Sequence, residues 1–275
     1  MKRKKIENIY PEDLRDFSSR HKEKDYLLLD VRLPEEYVRE HIPGSRLIPL
    51  HELEGRLGEL GPGQKLIFYC SSGKRSMAAA TLARDSGLFP DEIFNLEGGI
   101  NAYTGKTLHE FPKLEIFHDL HSTKDVLEQA IALEKGAQRL YSVFMHRLKD
   151  HDLKRQMQIL ADLEVSHARV LYKQGKDLFA RDFESMFEAA PDRLIEGGLD
   201  ADAWFAGLES AGEGDMCTFF LELALEMENM AYDMYRNLAE KDFSRDLTEC
   251  FFVLSEQEKA HMRLIARIFK DCSRL

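Results

Sequence analysis

EKGAQRLY at 134–141 is followed by EVSH at 164–167, and ENMAYDMY at 228–235 is followed by EKAH at 258–261. The two pairs are one pattern written twice. Glu134 and Glu228, Tyr141 and Tyr235, Glu164 and Glu258, and His167 and His261 each stand 94 residues apart, so one slipped residue would have spoiled the match. Residues three apart on a helix share a face, with Cβ atoms about 5–6 Å apart, and a Glu-x-x-His pair can therefore grip one metal ion. Four helices, two giving a lone Glu and two giving Glu-x-x-His, together offer four carboxylates and two imidazoles. Oxygen-rich ligation with imidazole suits iron or manganese better than a thiolate-loving metal.

The plainer alternative is four surface Glu and two core His on ordinary amphipathic helices. With ten His in the chain, roughly one Glu-x-x-His is expected by accident. Glu115-Ile-Phe-His118 is such an accident, since Glu209 and Gly212 stand at its 94-residue offset. Accident does not explain the matched offsets of the other two.

Around this pattern the sequence predicts four long helices. Ser122 to Asp125 reads as a capping signal for a helix reaching about 149, and a second runs over 152–174 to a stop at Gly175. A long crossover over 176–214, with short helices near 183–190 and 201–208, leads to a third helix capped by Asp215 and a fourth capped by Ser244. Two helical hairpins joined by one long crossover is the ferritin-like arrangement. The spacing E-x-x-A-x-x-x-Y then E-x-x-H, twice over, resembles the rubrerythrin branch of that family across 125–270. The resemblance implies two iron ions, or manganese. Glu164 and Glu258 would bridge or chelate the metals, Glu134 and Glu228 would be terminal ligands, and His167 and His261 would each bind one ion. Tyr141 and Tyr235 would orient the opposing carboxylates through their hydroxyls. Two features depart from the family: Ala231 stands where rubrerythrins carry a further Glu, and no rubredoxin module accompanies the bundle.

The chain of 275 residues is long enough for two cores. Its net charge of −11 is uneven: Lys+Arg number 17 against 18 Asp+Glu over 1–110, but 21 against 31 beyond. That balance argues against a nucleic-acid partner, and the basic run at 2–5 reads as a solvated tail. The absence of any eighteen-residue apolar run, and of an apolar stretch behind the basic start, predicts neither membrane span nor signal peptide. The four Cys, at 70, 217, 250 and 272, have no C-x-x-C spacing. They cannot form a zinc ribbon or a rubredoxin-type site, and the expectation is reduced thiols in a cytoplasmic protein. Cys217 and Cys250 are expected to be buried, with Cys272 a candidate relay thiol.

Toward the start, 26–31 (YLLLDV), 65–70 (KLIFYC) and 92–96 read as buried parallel strands, with helices over 34–40, 50–57 and 76–86. The alternation predicts a small α/β domain with a parallel sheet. Cys70 then falls at the carboxyl end of a strand and just before a helix, where such sheets carry their chemistry. The loop Ser71-Ser72-Gly73-Lys74-Arg75 has to turn quickly, which Gly73 permits. Curled around Cys70, its N–H groups would form an anion-binding nest, and the next helix would add its positive end. Both lower a thiol pKa and predict a thiolate nucleophile, with Lys74 and Arg75 holding an anionic substrate.

CSSGKRS at 70–76 resembles the active loop of rhodanese-type sulfurtransferases. LLDVR at 28–32, EEY at 35–37, HIPGS at 41–45 and LEGGINAY at 96–103 agree in order, so the resemblance covers nearly all of 5–105. It implies that Cys70 takes a sulfane sulfur, holds it as a persulfide among the loop amides, and passes it to a thiophilic acceptor. Arg75 matches the loop arginine, Asp30 and Arg32 match a D-x-R ending the earlier strand, and His41 matches a structural residue. Arg32 joins the loop among the expected substrate-binding residues. Tyr103, Ser45 and Glu40 replace the usual Trp, Ala and Gly. A phosphatase loop would need five residues between Cys and Arg, and this one has four.

The expected plan is a rhodanese-like α/β domain over 1–105, a linker over 106–121 and a ferritin-like four-helix bundle over 122–275. The expected function is sulfur transfer from a small donor to a thiol acceptor, joined to a di-iron domain. That domain would reduce peroxide or O₂, or oxidise a thiol or persulfide, with an external protein as the alternative electron donor. The other readings are a bundle that stores or senses iron, and a di-metal bundle without turnover that stabilises a homodimer.

Overall fold

The computed structural model describes residues 5–61, 63–90, 92–120, 122–209, 216–241 and 243–272. The chain divides into two compact units, Met1–Phe111 and Pro112–Leu275.

The first unit holds five strands, β1 (Glu7–Ile9), β2 (Tyr26–Asp30), β3 (Arg46–Leu47), β4 (Lys65–Tyr69) and β5 (Ile93–Leu96). They form one parallel sheet in the order β1-β5-β4-β2-β3. Its helices are α1 (Pro11–Arg20), α2 (Pro34–Arg39), α3 (Leu50–Arg56), α4 (Lys74–Ser86) and α5 (Gly99–Ala102). Every position of β2 is buried, because a parallel sheet is covered on both faces and its strands lose the apolar/polar alternation. Leu27, Leu29, Leu66 and Phe68 pack on one face with Ala79, Ala80 and Ala83 of α4. Tyr26, Leu28, Ile67 and Tyr69 pack on the other with Leu14 of α1 and Ile100 of α5. Each Leu, Ile or Phe among them contributes about 1.5–3 kcal/mol on burial. The short strands β1 and β3, at three and two residues, carry no period by which the sequence announces them.

The second unit is built on α6 (Thr123–Arg147), α7 (His151–Gln174), α10 (Met216–Leu238) and α11 (Arg245–Cys272), with α8 (Phe183–Ala189), the hairpin strands β6 (Leu194–Ile195) and β7 (Leu199–Asp200), and α9 (Ala201–Glu209) in the crossover. The caps explain where the helices start. Ser122 Oγ accepts from the Asp125 N–H at 3.1 Å, Asp150 Oδ1 from the Leu153 N–H at 2.8 Å, and Ser244 Oγ from the Leu247 N–H at 3.4 Å. Such bonds satisfy N–H groups that the first turn leaves open. Asp215, expected to cap the third helix, and residues 2–4 of the basic run lie outside the described residues.

Within 106–121, where a linker is expected, the boundary between the units falls after Phe111; Leu108 exchanges backbone bonds with His41, each 2.9 Å, and Phe117 is buried in the bundle core. One expectation changes. The cysteines are not all thiols. Cys217 and Cys272 form a disulfide with Cα atoms 5.8 Å apart, since antiparallel α10 and α11 bring the start of one helix to the end of the other, a proximity that C-x-x-C spacing does not report. Cys272 is consequently buried and bonded, not a relay thiol. Cys250 is a buried free thiol, pushed up to about 12 by burial. Among the described residues no helix is long and apolar enough to cross a membrane.

Candidate functional site

Strand β4 ends at Tyr69, and Cys70 follows it into the sharp turn before α4. Gly73 adopts φ 89°, a left-handed conformation that a Cβ disfavours, and so aims its N–H back at Cys70 Sγ, 3.2 Å away. The turn is braced from the other side of the sheet end. Ile100 N–H donates to the Cys70 carbonyl at 2.8 Å and Asn101 N–H to that of Ser71 at 3.1 Å. Burial pushes the Cys70 thiol up, but the Ser76 hydroxyl and the N–H groups of Ser76, Ser72 and Gly73 outweigh it and hold the thiol below its ordinary value. Ser76 has one hydroxyl proton and two acceptors, Asn95 Oδ1 at 2.7 Å and Cys70 Sγ at 3.5 Å. The backbone amides are therefore the steadier donors to sulfur.

The two arginines are paired with carboxylates of the first unit. Arg75 is forked onto Glu36, both bonds 2.7 Å, and also donates to Ser71 Oγ at 2.9 Å. Arg32 is only 3% exposed; its guanidinium donates to Asp30 and, at 2.7 Å, to the Glu40 carbonyl. Arg32 is closed off, whereas Arg75, though paired, keeps 37% of its side chain exposed, and Ser72 and Lys74 of the loop are exposed. Asp30 has no exposed surface and holds Arg32 in place. A cleft of about 370 Å³ lined by Arg32, Glu36, Ser71 and Asn101 opens beside the loop. The Ser45 substitution has a local reason: its hydroxyl lies 2.8 Å from the buried Tyr69 hydroxyl.

In the second unit the duplicated residues converge. Glu134 on α6, Glu164 and His167 on α7, Glu228 on α10, and Glu258 and His261 on α11 are all buried. His167 Nδ1 lies 3.2 Å from Glu134 Oε2, 3.3 Å from Glu164 Oε2 and 3.3 Å from Glu258 Oε1. His261 Nδ1 lies 3.2 Å from Glu228 Oε2, 3.3 Å from Glu258 Oε2 and 3.3 Å from Glu164 Oε1. Each imidazole thus faces one carboxylate of its own half and one oxygen from each of Glu164 and Glu258, whose two oxygens point to opposite halves. The imidazoles stack with centroids 4.7 Å apart. Tyr141 donates to Glu228 and Tyr235 to Glu134, each crossing to the other copy. Glu115 and His118 of the unmatched Glu-x-x-His are exposed.

Burial pushes Glu134 up to about 7 and Glu228 well above the carboxylate range. For Glu164 and Glu258 burial acts the same way, but the two imidazoles outweigh it and hold both below that range. Eight of the ten buried side-chain polar atoms that lack a well-aligned hydrogen bond, among the described residues, belong to this one pocket; six are engaged only in the 3.2–3.3 Å imidazole–carboxylate contacts, and the other two, the oxygens of Glu196, have no such contact. Buried acceptors without donors are rare and costly, and cations are what this donor set lacks. The residues fit a pair of ions of the iron or manganese class.

Sequence reading missed one member of the pocket. Glu196, in the turn between β6 and β7, is fully buried, with its carboxylate among those of Glu134, Glu164, Glu228 and Glu258. Burial first, and then those four carboxylates, push it well above its ordinary value. It has no partner at the 94-residue offset, and the only trace in sequence is Glu-Gly-Gly at 196–198 in the middle of a crossover.

A thiol in an amide nest at a strand end and a carboxylate–imidazole pocket inside a four-helix bundle define two classes of domain in one chain. Residues 13–106 match the rhodanese-like domain family and residues 125–190 match rubrerythrin. The putative sulfur carrier protein YrkF of Bacillus subtilis is 41% identical over 80 residues, which are 29% of this chain and 42% of that protein; the chain spans less than half the length of this relative. A sulfurtransferase of Allochromatium vinosum is 34% identical over 80 residues, 29% of this chain and 73% of that protein. A solved rhodanese-related protein from Thermoplasma volcanium is 30% identical, covering 38% of this chain and 100% of that one, with a TM-score of 0.34. The chain belongs to the rhodanese-like family through its first unit and carries a rubrerythrin domain in its second.

Proposed function

We propose that the first unit is a sulfurtransferase working through Cys70, and that the second is a di-iron oxidoreductase domain. The Gly73 N–H directed at Cys70 Sγ carries the first half. A donor of the sulfane type presents its outer sulfur to the Cys70 thiolate; the thiolate pair forms the new S–S bond while the donor's own bond to that sulfur breaks, and its electrons leave with sulfite or a thiolate. The loop amides hold the charge of the resulting persulfide. An acceptor thiolate then attacks the outer sulfur, and Cys70 departs as thiolate, so the cycle needs no oxidant or reductant. Lys74 is an exposed cation by the loop. Arg75 keeps 37% of its side chain exposed and spends three N–H donors on Glu36 and Ser71, which leaves two of the guanidinium's donors for an anionic sulfur donor.

For the second unit, Glu134, Glu164, His167, Glu228, Glu258 and His261 would hold the ions, with Glu164 and Glu258 each offering one oxygen to either half. A di-iron pair supplies redox equivalents for reducing peroxide or O₂. The chain's own residues provide a dry pocket, two imidazoles fixed against carboxylates, and Tyr141 and Tyr235 to orient Glu228 and Glu134. The electrons would come from an external protein, or from a thiol or persulfide at Cys70 that forms an S–S bond with a second thiol and gives up two electrons and two protons. The experiment is paired. Cys70→Ser should abolish sulfur transfer from thiosulfate to a thiol acceptor while leaving bound iron unchanged, and Glu164→Ala with Glu258→Ala should abolish iron binding while leaving sulfur transfer unchanged. Sulfur transfer that survives Cys70→Ser sinks the first half; a wild-type chain that holds no iron sinks the second.

A further inference from the structure

We propose that Glu196 is a seventh protein ligand, a fifth carboxylate that the crossover hairpin sets between the two halves of the metal site; this rests on the reading of the bundle as a two-metal site. Ligand oxygens of Glu196 lie within 4.8 Å of ligand atoms of Glu134, Glu164 and His167 in one group, and of Glu228 and Glu258 in another. The residue has no exposed surface, and neither carboxylate oxygen has a hydrogen-bond partner. A carboxylate buried without donors is among the most costly arrangements in a protein interior, and a cation is the partner that this surrounding of acids calls for.

The backbone around it is shaped for this approach. At Gly136 of α6 any Cβ would stand 2.0 Å from the Leu194 carbonyl oxygen of β6, so only glycine lets the hairpin come down onto the helix. On the α10 side, a Cβ at Gly197 would stand 2.6 Å from Met230 Cβ. Positions 136 and 230 are the same position of the two copies, 94 residues apart. In one copy it is an opening and in the other a lid, so the duplicated helices depart from each other where the hairpin seats. Ala137 and Ala231, three residues after Glu134 and Glu228, bring no carboxylate of their own. Four carboxylates neutralise two divalent ions. A fifth leaves one negative charge over and favours the ions' higher oxidation state.

The test uses the whole chain and Glu196→Gln, titrated anaerobically with Fe(II) and separately with Mn(II), with bound metal counted by mass spectrometry and affinity read by calorimetry. Wild type should hold two ions, and E196Q should hold at least one of them about tenfold or more weakly, the scale seen even for residues that only orient ligands. Thermal unfolding adds a sign. Without metal E196Q should melt no lower than wild type, because it removes an unpartnered carboxylate; with metal it should melt lower. A Glu196 that is merely structural would lower both. Gly136→Ala, which substitutes none of the seven ligand residues, should lift the hairpin, draw Glu196 away and reproduce the affinity loss. Two ions held by E196Q with unchanged affinity would overturn the role of Glu196 and leave the two-metal reading standing, whereas a wild type that holds no pair of ions would overturn that reading itself.

Discussion

Single hydrogen bonds set the chemistry of both units. The Cys70 thiol is held below its ordinary value of 9.0 by donors that exist only in the folded loop, so its alkylation rate against pH should inflect below that of a free thiol. Ser76→Ala should move the inflection up by less than a substitution that opens the Gly73 turn. Glu36 is held at about 2, chiefly by Arg75. Its folded value lies below its ordinary 4.5, so the stability it contributes is present above about 4.5 and is lost as pH falls toward 2. Glu36→Gln should remove that part of the acid limb, seen as a shallower loss of first-unit structure over the same window. In the bundle, Tyr141→Phe and Tyr235→Phe delete equivalent bonds to Glu228 and Glu134. Each should weaken one metal ion by about 10–100-fold, and the two variants should match within the error of a calorimetric titration.

At the scale of elements, the disulfide ties the first turn of α10 to the last turn of α11 across 55 residues. A closed loop of that length is worth about 4 kcal/mol in the chain-entropy account. Cys272→Ser should therefore lower second-unit stability by up to that amount in chemical denaturation, and added reductant should lower wild type, not the variant. Elements of this kind mark where sequence reading stops. Strands β2, β4 and β5 and the four long helices were legible because apolar runs, periodicity and caps are local. That six duplicated Glu and His residues converge in one buried pocket was legible because a repeated offset is arithmetic. Glu196 was not, since nothing in its neighbourhood repeats, and the Cys217–Cys272 pairing was not, since it depends on two helix ends meeting. The Arg75–Glu36 fork joins residues 39 apart in sequence, a pairing that the loop alone does not announce.

On the scale of the molecule, two units each carry their own cores, one pair on the faces of a sheet and one pair inside a bundle. Calorimetry should show two transitions. Fe(II) at a hundred times its dissociation constant should raise only the bundle's, by about 2.7 kcal/mol of linkage stabilisation per ion, while Cys70→Ser should leave that shift untouched. The internal duplication has a consequence of its own. A homodimer of identical helical hairpins cannot bring one side chain to the middle of its shared site without bringing the mate to the same place, where two like charges would collide. A single polypeptide holding both copies escapes that rule: the strap between them is encoded once, and the two positions it touches, Gly136 and Met230, are free to diverge. Fusion thus permits an odd number of ligands at the centre of a nearly even-handed site.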